Sequence, residues 1–249
     1  MLNDLYLGFK LMLSYFTILP IHIKERDNLF TPPVLSAMIF WLPFGGLILG
    51  LLTLLVYRVL FPLEWLAGVV AAVGYMMLYG FLHTEAVMDV ADALYAKHSG
   101  KDAYKIIKEP TVGAMGVLWA AGMMLLKVAA IVYLLSYEAY GLFISTLIIS
   151  RIGLQLLFLT QRFRSTFITT MQERFEKRHF AASLVFFGII GVLALGWLFV
   201  PLLLSGLLIT YLTATLLGKK LGFLNGDVLG TTLETTEIIL FLIGGMLWL

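Results

Sequence analysis

Three features of the 249-residue sequence predict an all-α, polytopic integral membrane bundle. Hydrophobic residues make up 61% of it and charged residues only 13%, against about 25% charged in ordinary soluble domains. Mean hydropathy is +0.97. Apolar runs close to the roughly 20 residues that cross a bilayer recur along the chain, separated by short polar stretches. Residues 1–249 read as a single integral membrane domain, without repeats, low-complexity tracts or linkers.

Composition also excludes several functions. There is no cysteine, so disulfides, thiol catalysis and zinc–thiolate sites are ruled out. A net charge of +2 is too small to argue for nucleic acid as a partner. The first residues, Met-Leu-Asn-Asp, lack a basic n-region, and the apolar stretch after them meets Pro20 without a small-residue cleavage site. A signal peptide is therefore not expected.

Residues 5–19 are apolar but short, with Lys10 in their middle, and predict an interfacial or re-entrant helix that Pro20 ends. A polar loop over 21–32 carries Lys24, Glu25, Arg26 and Asp27. The first full span is Val34–Leu60, with Pro43 and the small residues Gly45, Gly46 and Gly50, whose spacing lets helices pack closely in lipid. A turn at 61–64 leads to a second span, Trp65–Leu82. Residues 84–112 form the longest polar segment. Its helix is expected to break at Ser99-Gly100, before an amphipathic piece with Lys101, Lys105 and Lys108. Pro110, Gly113 and Gly116 mark a turn whose backbone can approach a ligand. Further spans are expected at Val117–Leu135, Leu142–Thr160, Ala181–Val200, Leu202–Leu217 and Thr235–Leu249, seven in all, with the fifth and sixth forming a tight hairpin at Pro201. An N-terminus in the cytoplasm puts 14 of the 17 basic residues on the inner side, as the positive-inside rule requires.

Two acidic clusters stand out against so few charges. After the second span, Glu85, Asp89 and Asp92 lie at i, i+4 and i+7, one face of a helix. Like charges so placed repel, and a hard divalent cation with oxygen ligands, magnesium above all, would offset them. Near the C-terminus, Asp227, Glu234 and Glu237 share another face, with Thr231 between them. Asn225 and Gly226 suit a helix start that attracts anions. Both faces fall on the same side of the membrane, and acids near spans are functional by default. Arg151, inside an apolar span, reads equally as an ion-pair partner of those acids or as a phosphate clamp. Lys127 reads as snorkelling or paired. His83 is a candidate ligand, acid/base or cap.

Acidic helices with nearby lysines suit magnesium-assisted diphosphate chemistry, with basic side chains and backbone N–H groups holding the remaining oxygens. The residues alone reach a membrane transferase of nucleotide- or prenyl-diphosphates. A prenyltransferase wants Asn-Asp-x-x-Asp-like motifs, and Asp89-Val-Ala-Asp92 lacks the Asn. A CDP-alcohol phosphotransferase wants an Asp-Gly-x-x-Ala-Arg opening, which is absent. A cation transporter predicts acids at mid-span, whereas these are expected at span ends.

The chain resembles the cobalamin synthase family, the adenosylcobinamide-GDP ribazoletransferases. Its His-x-Asp-Gly-x-x-Asp-x-x-Asp-Gly signature is matched by His83, Glu85, Asp89 and Asp92. Ile107-Lys108-Glu109 with Gly113 and Gly116 matches its second element. Asn225-Gly226-Asp227, Gly230-Thr231, Glu234 and Glu237 match its third. Phe16–Pro20, Pro43–Gly46 with Gly50, and Ser150-Arg151 are weaker echoes. Glu85 and Glu109 stand where the family has aspartates, and Ala86 and Ala93 where it has glycines.

The resemblance implies a bacterial inner-membrane enzyme with its active site facing the cytoplasm, joining adenosylcobinamide-GDP to α-ribazole or its 5′-phosphate with release of GMP. It implies magnesium held by Glu85, Asp89, Asp92 and Asp227. Proton transfer would fall to His83, Glu234 or Glu237. Substrate would be bound by Lys105, Lys108, Glu109, Gly113, Gly116, Arg151, Asn225 and Thr231. Implied partners are the corrinoid and ribazole substrates and membrane lipid, with contacts to other cobalamin-assembly enzymes and self-association left open.

Overall fold

A computed structural model describes residues 2–248, and among them there is helix and no strand. The helices are α1 (Leu2–Phe16), α2 (Pro32–Val59), α3 (Trp65–Leu78), α4 (Leu82–His98), α5 (Ala103–Ile106), α6 (Ala114–Ser136), α7 (Tyr140–Thr160), α8 (Thr166–Gln172), α9 (Lys177–Leu195), α10 (Phe199–Leu221) and α11 (Gly226–Trp248). Each of the seven expected spans corresponds to a helix. Five helical stretches are long and apolar enough to cross a membrane, or six if α3 and α4 count as one bent span. One of the five, 177–221, is 45 residues long, about 68 Å at 1.5 Å per residue. That is too long for one crossing, and it breaks at Gly196, so it is read as two arms.

Helix α7 is the axis of the bundle: 89% of its apolar window is buried, against 28% for α6. Small residues bring its neighbours in. Gly46 of α2 lies against the Leu147 carbonyl, Gly153 of α7 against Thr210 of α10, and Gly206 of α10 against Ile149. These pairings make α2 antiparallel and α10 parallel to α7. The start of α7 meets the end of α9, Gly141 against Ala194, so α9 and α10 run in opposite directions.

The structure corrects three sequence expectations. The reversal between α9 and α10 occurs at Gly196, whose φ of 67° suits glycine. Pro201 instead sits in the first turn of α10, where helix N–H groups have no intrahelical acceptor anyway. The second span stops at Leu78, because Gly80 and Phe81 are both left-handed, φ 63° and 54°. The chain then turns 77° into α4, which therefore lies across the end of the bundle rather than along it. The last helix begins at Gly226, not Thr235. Its two glutamates are therefore about 12 and 17 Å along a spanning helix, not at its mouth.

Helix α1, about 22 Å long, is short for a crossing, as expected. It packs on α2, where Trp41 Nε1 donates to the Leu5 carbonyl at 3.0 Å. Lys10 is buried and pairs with Asp27 at 2.9 Å, which holds the Asp27 carboxyl below its usual range and folds the 21–31 loop onto α1. One end of the bundle thus gathers α1's C-terminus, α4, α5, α8 and the loops between them, with 14 of 17 basic residues. Among the described residues, the other end has the turns at 60–64, 137–139 and 196–198 and the end of α11.

The absence of native cysteine makes topology directly readable. Lys101→Cys is expected to react with an impermeant maleimide only once the cytoplasmic face is opened, and Glu138→Cys in intact cells. The opposite pattern would invert the orientation.

Candidate active site

Asp92 is the hinge between the acidic helix and its neighbour. Its two carboxylate oxygens accept the N–H groups of Gly113 and Gly116, at 2.6 and 2.7 Å. A carboxylate at this position satisfies orphan donors and complements the helix dipole. Both residues must be glycine: a Cβ on Gly113 would stand 2.6 Å from Asp92 Oδ1, and one on Gly116 2.7 Å from the Met88 carbonyl. The close approach that the sequence suggested is therefore real, but the backbone N–H groups of Gly113 and Gly116 are engaged by the protein's own carboxylate. They are not free to cradle a substrate.

One turn back along α4, Asp89 is half-buried and Glu85 exposed. Burial first, then the negative charges of Asp227, Glu85 and Asp92, raise the Asp89 pKa to about 6. Asp227, on the first turn of α11, is part-buried beside them and hydrogen-bonded by Asn225 Nδ2 at 2.6 Å. Asn225 also caps α11, accepting the Val228 N–H at 3.1 Å. None of Glu85, Asp89 and Asp227 has a salt-bridge partner among the described residues. Helices α4 and α11 meet closely here. Gly230 faces the Ala86 methyl, and Thr231 donates to the Ala86 carbonyl at 3.0 Å. Thr231, expected on the substrate, instead staples two helices together, and Ala86 is accommodated by the glycine opposite it.

These carboxylates fit a magnesium ion in kind: hard oxygen donors, mutually repelling and without a bridging cation. Among the described residues no three His, Asp or Glu side chains converge on one point as they stand. Binding would therefore need rotation of Glu85, Asp89 or Asp227 side chains, with Asp92 committed to the glycines.

Beside Asp227 opens an apolar cleft of about 120 Å³, walled by Phe16 of α1, Phe158 of α7, and Phe167 and Ile168 of α8. His83 forms its inner polar wall. The imidazole is 7% exposed, stacked against Phe16 and tilted against Tyr79, and has no hydrogen-bond partner among the described residues. Burial, then the charges of Arg151 and Lys127, lower its pKa to about 3, so it is neutral. Tyr15 lies at the cleft's edge, its pKa raised by burial and by Asp227.

The remaining acids are elsewhere. Glu234 and Glu237 point into the bundle core and are almost fully buried. Lys127 of α6 bridges both, 2.7 Å to each. Arg151 of α7 pairs with Glu237, and also donates to the Tyr75 hydroxyl and the Leu147 carbonyl at 3.2 and 3.0 Å. Tyr79 donates to Glu234 at 2.7 Å, Tyr75 to Glu237 at 2.9 Å, and Ser150 to Glu237 at 3.1 Å. Two cations face two anions, so the cluster is neutral, as a buried ionic group must be. Arg151 is thus an ion-pair partner, and its NH1 and NH2 groups are occupied. Glu234 and Glu237 stand apart from Glu85, Asp89 and Asp227. These mid-helix acids are locked in pairs, which leaves no free charge for a passing cation.

At the mouth, Lys105, Lys108 and Glu109 are exposed. Lys108 and Arg164 both lie on the Tyr104 ring, at 4.3 and 3.7 Å, a favourable cation–π arrangement. Tyr104 packs edge-on against Phe223, and the Arg164 N–H holds the Leu224 carbonyl at 2.7 Å, tying this basic rim to the start of α11. Sequence reasoning missed Arg164 and Tyr104, which belong to no motif. It also missed Tyr75 and Tyr79, which read as ordinary apolar-span aromatics. Phe16 had a signal in the Phe16–Pro20 echo; Phe167 had none.

Lys127→Met is expected to destabilise the protein by about 3–5 kcal/mol, because two buried glutamates lose their shared cation. The check is loss of thermal stability in detergent, with partial recovery in Lys127→Met/Glu234→Gln. Gly116→Ala is expected to lower stability by about 1–3 kcal/mol by forcing Asp92 and the Met88 carbonyl aside, measured the same way.

Comparison with known proteins shows the family. The family model for cobalamin-5-phosphate synthase matches residues 8–245. Similar relatives include the adenosylcobinamide-GDP ribazoletransferases of Chlorobaculum parvum, 28% identical over 97% of this chain and 96% of theirs, and of Chlorobium chlorochromatii, 29% identical over 96% of each. The protein of that name from Chlorobium phaeovibrioides is 30% identical over 92% of this chain and 93% of its own. No solved structure matches.

Proposed function

Because the chain belongs to the cobalamin-5-phosphate synthase family, the enzymes of the last step of cobalamin biosynthesis, we propose that it joins adenosylcobinamide-GDP to α-ribazole or its 5′-phosphate at the cytoplasmic face of the membrane, releasing GMP. The observation that carries this reading is the acidic set Glu85, Asp89 and Asp227, without a salt-bridge partner among the described residues, whose member Asp227 lines an apolar cleft at the bundle end that carries an exposed basic rim. A diphosphate donor and an aromatic acceptor need those three surfaces together.

In this reading Lys105, Lys108 and Arg164 attract and orient the diphosphate oxygens. Glu85, Asp89 and Asp227 would hold magnesium, which when bound neutralises the diphosphate and stabilises the departing GMP. The acceptor hydroxyl attacks the phosphorus next to cobinamide, a new P–O bond forms and the bond to GMP breaks. The hydroxyl proton passes to His83, the only expected acid/base residue left without a partner. Burial is the main cause of the low His83 pKa, and a diphosphate bound nearby would act against it, because negative charge favours the protonated imidazole. Asp92 supports the site by fixing α4 to α6. Lys127, Arg151, Glu234 and Glu237 support it from below.

The alternative diphosphate enzymes, a prenyltransferase or a CDP-alcohol phosphotransferase, use the same logic, and substrate trials separate them. Purified protein in lipid is expected to release GMP from adenosylcobinamide-GDP and α-ribazole phosphate, with EDTA abolishing and magnesium restoring it. Asp89→Asn and Asp227→Asn are expected to lose at least about 100-fold in turnover with unchanged thermal stability. Near-normal turnover in both would remove the metal assignment.

A further inference from the structure

We propose that the cleft beside Asp227 receives the flat heteroaromatic base of the acceptor nucleoside, and that Phe167 and Ile168 of α8 set which bases it takes. This rests on the transferase reading above and specifies one of its subsites. The space, about 120 Å³, is well below the roughly 300–1,000 Å³ of sites that enclose a whole drug-sized ligand. It has room for one flat ring system, while a corrin macrocycle must stay outside.

The walls match such a guest. Phe16, Phe158 and Phe167 come from three different helices and offer aromatic surface to it, and rings prefer offset or edge contacts with other rings. Phe16 and Phe158 are held by ring neighbours: Phe16 by His83, and Phe158 by Phe163 at 5.6 Å. Helix α8 is short, and it is fixed by the Ser165 cap and by Gln172 donating to the Phe158 carbonyl at 2.6 Å.

Polar side chains are few. His83, buried and without a hydrogen-bond partner among the described residues, Asp227 and Tyr15 line the cleft. A nucleoside with its base among the aromatics would therefore present its sugar hydroxyls to His83 and the acidic set. That is where the attack on phosphorus needs the hydroxyl. The phosphate-bearing donor approaches from the exposed basic rim, so the two substrates enter from different sides and do not compete for one pocket.

Two variants test the assignment. Ile168→Trp fills the cleft and Phe167→Ala widens it. Neither touches the acidic set. The readouts are equilibrium dialysis of α-ribazole against protein in lipid nanodiscs, and GMP release with donor and acceptor varied separately. Ile168→Trp is expected to weaken α-ribazole binding and raise the acceptor KM about tenfold or more, the equivalent of about 1.4 kcal/mol, with the donor KM unchanged. Phe167→Ala is expected to narrow the preference for α-ribazole over nucleosides with larger bases. If the wild type turns over and Ile168→Trp leaves the acceptor KM unchanged, or raises the donor KM instead, the cleft assignment is overturned and the reaction stands. If the wild type binds α-ribazole and Ile168→Trp does not, but no GMP is ever released, the reaction falls and the cleft assignment survives. Should Ile168→Trp fail to fold, unchanged acceptor preference in Phe167→Ala overturns the proposal.

Discussion

The neutral quartet of Lys127, Arg151, Glu234 and Glu237 is the constraint on which the rest of the bundle depends. Each member sits on a spanning helix, where a lone charge is expensive. Only the pairing of α6 and α7 with α11 removes that cost. Tyr75 of α3 and Tyr79 just past its end close the cluster, and the Tyr79 hydroxyl reaches Thr84 across the break at 3.2 Å. The angle at which α4 leaves α3 is thereby tied to the quartet. Displacing one charge would loosen the helix ends that carry His83 and Asp227, although neither belongs to the cluster.

The site surface is assembled from pieces that cannot stand alone. Helix α4 is polar and lies across the bundle end; it is held by Asp92 to α6 and by Ala86, Gly230 and Thr231 to α11. Helices α1 and α8 are too short to span and cover the cleft from the side. A spanning core thus fixes positions, and short interfacial helices supply the variable walls. This division lets a binding surface change without disturbing charge balance in the membrane.

Much of this was legible in the sequence. Span positions followed from apolar runs, and the acid spacing at 85, 89 and 92 followed from helical periodicity. What misled was the treatment of every motif acid as part of one site. Asp227 and Glu234 share a helical face in projection, but seven residues are about 10 Å of rise, enough to carry Glu234 out of the polar region into the core. The sequence could not reveal which cation would claim it, because Lys127 lies more than 100 residues away. Gly113 and Gly116 were expected to let the backbone approach a ligand; the group that approaches them in the fold is Asp92, a tertiary fact. The aromatic cleft was hidden because, apart from Phe16 with its weak echo, its walls Phe158 and Phe167 look like any other apolar residue of a membrane chain.

The quartet also imposes an order on assembly. The two cations lie on α6 and α7, and the two anions on α11, which is made after both. During synthesis Lys127 and Arg151 reach the bilayer before any carboxylate is there to meet them. Until α11 arrives, those helices carry charge that α11 has yet to match, which is costly inside a bilayer. Helix α11 therefore acts as a latch in biogenesis, and a chain cut short before it would present the cell with a recognisable defect: buried cations without the carboxylates that neutralise them.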